Sequence, residues 1–147
     1  MSQVPTPGEA ARLVADVDRI GAAVRTADAW RYIAWLVGMA VLTVMYATGL
    51  GVAGTDEALI VTMSLVFALC VGALSAGLLP GSRVTSAGLG RRWTAALLSW
   101  GALFAALMTL GLLVWRGEPA FWVPGGIVTA LPLVLGARAE IRAGVRQ

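Results

Sequence analysis

Any chemistry in this sequence has to come from a short inventory. It holds eleven basic residues, eight acidic residues, one cysteine and no histidine. Every basic residue is arginine, and asparagine is absent along with lysine. That list excludes histidine acid–base catalysis, histidine-ligated metal or haem, lysine Schiff bases and lysine-bearing phosphate loops. A single cysteine cannot form a paired redox motif. Cys70 sits in an apolar run with no cation or base near it in sequence, so it reads as a small hydrophobe. Asp56, Glu57 and Glu118 are the carboxylates that could gather round a cation, and three loop carboxylates read more simply as solvated charge. The expectation is therefore no catalytic residue, no cofactor and no metal site.

Hydroxyls are the more abundant polar groups. Thr43, Tyr46, Thr48, Thr62, Ser64, Ser75, Thr94, Ser99, Thr109 and Thr129 all fall inside apolar runs. A serine or threonine in such a helix bonds the carbonyl one turn back. A polar conduit is the alternative use, yet no ionisable residue joins them, and coupled transport generally needs one. The segment from Pro80 to Arg92 carries Gly81, Gly88 and Gly90, but it lacks the spacing and the lysine of a phosphate loop. Its Arg83, Arg91 and Arg92 read as contacts to anionic lipid headgroups.

The elements that would position these groups follow from hydropathy. Hydrophobic residues make up 59% and charged residues 13%, against about 45–50% and 25% in soluble domains. So much apolar surface exceeds what one small core can hide. Four continuous apolar runs, at 32–51, 58–79, 93–115 and 119–137, contain no Asp, Glu, Lys or Arg. Each approaches the roughly 20 residues needed to cross a bilayer as a helix, and none alternates like a strand. About 30 mixed residues precede the first run, which reads as a retained anchor rather than a cleaved signal.

Arginine placement sets an orientation. Arg12, Arg19, Arg25 and Arg31 precede the first span, Arg83, Arg91 and Arg92 lie between the second and third, and Arg138, Arg142 and Arg146 follow the fourth. All ten fall on one side of a four-span chain, and only Arg116 falls on the other. The positive-inside rule then places both termini in the cytoplasm. Trp30, Tyr32, Trp35 and Trp93 sit near one boundary, and Trp115, Phe121 and Trp122 near the other, as amphipathic rings prefer. Trp100 lies deeper and reads as packing, with Ser99 as its nearest candidate partner.

Three further patterns concern contact. Thr6, Pro7 and Glu9 spell a capping box with proline at the first helical position. Behind it, Leu13, Val17, Ile20 and Val24 repeat at 4, 3 and 4, a narrow apolar seam suited to docking on protein. Asp28 could cap the first membrane helix, leaving the N-terminal helix either hinged to it or continuous with it. Ser64, Ala68, Gly72 and Ala76, with Gly101 and Ala105, form small-residue rows of the kind that let membrane helices approach. These rows read as packing inside the bundle, or alternatively as a surface between copies. Pro124, Gly125, Gly126 and Pro132 predict a kinked fourth span.

The expected fold is an all-α integral membrane protein. A four-helix transmembrane bundle (residues 30–137) is preceded by a cytoplasmic amphipathic helix (1–29) and followed by a basic tail (138–147). The expected function is that of a non-enzymatic accessory or regulatory subunit of the inner membrane. It would be multi-pass, embedded in the lipid bilayer, and bound to a membrane-protein partner or to itself, with no nucleic acid. The alternative is an oligomeric channel or transporter for a neutral solute.

Overall fold

A computed structural model of the chain describes residues 6–79 and 89–145, leaving aside the side chains of 7, 22–29, 89–90 and 143–145. The described residues form four helices: α1 (Pro7–Ala53), α2 (Glu57–Leu78), α3 (Leu89–Leu113) and α4 (Pro119–Val145). Each contains a stretch long and apolar enough to cross a membrane: Trp30–Ala53, Glu57–Leu78, Arg91–Leu113 and Pro119–Arg142.

The N-terminal helix and the first apolar run are one element. α1 starts at the capping box, where the Thr6 backbone N–H donates to Glu9 Oε2 (2.8 Å) and the Glu9 backbone N–H donates to Thr6 Oγ1 (3.4 Å). It then runs 47 residues to Ala53. No helix begins at Asp28, so the cap expected there does not exist. The linking residues 21–29 include four alanines, strong helix formers, and contain no proline to break the ladder. At 1.5 Å per residue, residues 7–29 carry α1 roughly 35 Å beyond its apolar stretch.

At the opposite end the turns are tight. Gly54 and Gly117 both adopt positive φ, at 61° and 70°. Their backbones touch, since a Cβ on Gly117 would lie 2.9 Å from the Gly54 Cα. Only glycine meets both conditions. Asp56 then caps α2 by accepting the Leu59 backbone N–H (3.1 Å).

The core lies between α1 and α4. Ile33, Leu36, Ala40, Thr43, Ala47 and Leu50 are buried at alternating spacings of three and four. They face Trp122, Ala130, Leu133 and Ala137 of α4 in two adjoining clusters. Such spacing is that of left-handed packing between nearly antiparallel helices. α4 also packs on α3, whereas α2 packs mainly on α1 and meets α3 through the Phe67 and Phe104 rings. α2 contains no buried residue.

The fourth span is not broken, since α4 continues as helix through both Pro124 and Pro132. Gly125 and Gly126 serve close approach instead. A Cβ on Gly126 would sit 2.6 Å from that of Ala47 and 3.5 Å from the Val44 Cα, and one on Gly125 would run into Leu107. The basic tail is helical as far as Val145.

Candidate functional site

The seam on the N-terminal part of α1 is uncovered. Leu13, Val17 and Ile20 are 58%, 68% and 60% exposed, and the neighbouring Val14 widens the apolar stripe. Val24 lies outside the described side chains. Polar residues flank the stripe, with Asp16 and Arg19 paired at 3.2 Å. At its start, the Thr6 backbone N–H, and next its hydroxyl, hold the Glu9 carboxyl below the ordinary carboxylate range. The helix start is therefore anchored in its ionised form.

Beyond Ser64, the small-residue row of α2 does not pack inside the chain. Ser64 is half-buried, but Ala68, Gly72 and Ala76 are exposed, and nothing lies within 4 Å of a Cβ built on Gly72. Gly101 likewise meets nothing, and Ala105 is exposed. The reason lies in what α1 presents. Tyr46 stacks on Phe67 with centroids 4.5 Å apart and hydrogen-bonds Ser64 (2.8 Å), while the Trp35 indole N–H donates to Ser75 (3.1 Å). Ser64 donates to the Ile60 carbonyl, so the Tyr46 hydroxyl is the donor in their pair. Rings and hydroxyls thus select the Ser64, Phe67, Val71, Leu74 and Leu78 face, about 100° round the helix from the small row. Gly72→Leu is accordingly expected to leave stability in detergent unchanged or raised by up to about 1 kcal/mol, the helix propensity gained. A loss would place Gly72 in a contact the isolated chain lacks.

The aromatic contacts extend across to α3. Phe67 and Phe104 stack at 5.9 Å, and Phe104 and Trp100 at 5.2 Å. The Trp100 indole N–H donates to the Thr43 hydroxyl (3.1 Å), which donates in turn to the Met39 carbonyl (2.7 Å). Ser99 is not its partner. That bond spans 57 positions, and no local pattern signals it. Thr48, Thr62 and Ser64 bond carbonyls one turn back, as expected of hydroxyls in apolar helices. Near the other end of the bundle, Tyr32 and Trp35 pack against Trp93 (6.3 and 5.5 Å), whose buried indole N–H has no acceptor among the described residues.

The arginines divide. Arg83 lies outside the described residues and Arg91 is exposed. Arg92, expected at lipid headgroups, is instead paired. Its Nε donates to Glu140 Oε1 (2.7 Å) and a terminal nitrogen donates to Oε2 (3.3 Å). Glu140 was assigned to a tail by composition. Because α4 continues past Ala137, its carboxylate is turned into the bundle beside the start of α3.

Among the described residues no group of three His, Cys, Asp or Glu side chains is placed to hold a metal. Asp56 is committed to its helix cap, and Glu57 and Glu118 are exposed. Cys70 is free and half-buried. The arrangement offers a long uncovered helix, an outward small-residue row and a bundle whose resolved hydroxyl bonds are internal. No family model matches the chain, and no characterised protein or solved structure matches it.

Proposed function

We propose that this chain is a non-enzymatic, multi-pass protein of the inner membrane that acts as an accessory or regulatory subunit. Both termini face the cytoplasm, and the N-terminal part of α1 docks a membrane-protein partner. The exposed stripe of Leu13, Val17 and Ile20 carries this reading, because it stands on a helix that continues well beyond its apolar stretch. Lipid has no access to a helix held off the bilayer in this way, so a protein surface is the natural cover. The outward row of Ala68, Gly72 and Ala76 supports a second contact within the bilayer. The alternative of solute passage is disfavoured by internal bonding: Thr43, Ser64, Tyr46 and Trp100 spend their hydrogen bonds on one another and on helix carbonyls.

Two measurements test this reading. Reporter fusions at Gly54 and Gly117 should show periplasmic activity, and those at Gly88 and Gln147 cytoplasmic activity. The reverse pattern overturns the topology. Val17→Asp combined with Ile20→Asp should insert normally yet lose the partner that co-purifies with the parent in mild detergent. Retention of every partner overturns the docking role.

A further inference from the structure

An apolar groove of about 360 Å³ runs between α1 and α4. Val41 and Met45 rim it on α1, Leu131 and Val134 rim it on α4, and Ala40 and Ala130 lie at its base. All four rim residues are exposed.

The register of the two helices shows where the groove leads. Gly126 stands against Ala47, and Gly136 against Leu36. Antiparallel progression from these contacts sets Ala34 level with Arg138 and Trp30 level with Arg142. At 100° per residue, Arg138 follows Leu131 and Val134 on the same side of α4, and Arg142 stands one turn further at the flank. On α1, Val37 and Trp30 continue the line of Val41, and both are exposed. One end of the groove thus opens beneath two exposed arginines and an exposed indole. Neither arginine has an ion-pair partner among the described residues.

We propose that the groove and its two arginines hold one anionic phospholipid, with an acyl chain between α1 and α4 and the phosphate on Arg138 and Arg142. The site requires only that the helices span a bilayer. Which leaflet supplies the lipid follows from the topology proposed above, and a reversed topology changes the leaflet and not the site.

Depth supports a lipid chain. From Arg138 to Ile127, which lines the far part of the groove, α4 advances roughly 16 Å. Half of the roughly 30 Å hydrocarbon layer is about the same depth. A chain whose phosphate rests at Arg138 therefore reaches the end of the groove. Trp30, level with Arg142, lies where indole rings favour headgroups.

Charge selects an anionic headgroup. Arg138 and Arg142 are one turn apart, so both guanidinium forks can reach one phosphate. Glu140 does not compete for them, because it lies about 160° round α4 from Arg138 and is held by Arg92. Apolar lining at chain depth and paired cations at headgroup level match a lipid anion along its whole length. A zwitterionic lipid fills the groove but brings no net charge to the arginines.

The test uses the full chain in neutral detergent, with phosphatidylglycerol and phosphatidylcholine of identical chains added in equal amounts. Native mass spectrometry counts the lipids retained. One phosphatidylglycerol should be held in preference to phosphatidylcholine. Arg138→Gln with Arg142→Gln should cut that preference by on the order of tenfold. Arg91→Gln, on α3, should leave it unchanged. Val134→Trp and Val41→Trp fill the groove from either rim with both arginines intact, and each should release the bound phosphatidylglycerol. Exposed positions tolerate such bulk, and far-UV circular dichroism checks that each variant keeps its helices. A preference untouched by the double glutamine variant, or reduced equally by Arg91→Gln, would mean diffuse surface charge and overturn the site. Full retention in a folded tryptophan variant would seat the acyl chain elsewhere and overturn the role of the groove.

Discussion

Gly126→Leu is expected to destabilise the protein by about 3 kcal/mol, the upper part of the range for overpacking a tight interface. A Cβ at this position would already stand 2.6 Å from the Ala47 Cβ and 3.5 Å from the Val44 Cα. The second of these is backbone, so a rotamer change cannot clear it. Relief would require α1 and α4 to part along the face that carries most of the buried residues. Removing a helical glycine gains up to about 1 kcal/mol of propensity, which offsets only part of the loss. Unfolding in detergent, followed by tryptophan fluorescence, measures the difference. Gly72→Leu provides the internal comparison, because it adds the same bulk to a helix of the same length class where there is open space. Equal midpoints for the two variants would show that α1 and α4 do not approach closely at Gly126.

That contrast also shows how far the sequence could be read. The four spans were legible because each is a continuous apolar run, and the helices contain those runs with ends shifted by a few residues. The capping box was legible because its partners are three residues apart. Which face of each helix packs was not legible. In a soluble helix the buried face is marked by contrast with polar residues, but a membrane helix is apolar all round, so burial leaves no mark in hydropathy. The row at Ala68, Gly72 and Ala76 looked like a packing ridge and faces outward, because the opposing side of α1 offers Trp35 and Tyr46, which need hydroxyl and ring partners. The true close approach was present in sequence as Gly126, Ala130 and Ala137 on α4 and Ala40 and Ala47 on α1. There the prolines at 124 and 132 drew attention to kinking instead. Matching the small residues of two spans to each other, rather than along one span, is the signal that finds it.

The ion pair between α3 and α4 gives an asymmetric expectation. Arg92→Ala should cost on the order of 2–3 kcal/mol, and Glu140→Ala about 1 kcal/mol or less, although both delete the same interaction. The difference comes from exposure. The Glu140 side chain is 6% exposed and that of Arg92 is 41% exposed. Without Glu140, the guanidinium is free to turn to water or to lipid phosphate, and it loses little. Without Arg92, a carboxylate stays enclosed with both of its strong donors gone, and it carries the desolvation cost of an unpaired buried charge. The geometry is two-pronged, at 2.7 and 3.3 Å. Arg92→Lys keeps the charge but offers no fork, so it should fall between the parent and Arg92→Ala. The swap of Arg92→Glu with Glu140→Arg should recover part of the loss, while placing the buried end on the longer side chain keeps recovery incomplete. Unfolding midpoints of the parent and the four variants in one detergent decide the matter. Equal losses for the two alanine variants would mean that the enclosed carboxylate finds another donor, and an unchanged Arg92→Ala would mean that the pair does not hold α3 to α4.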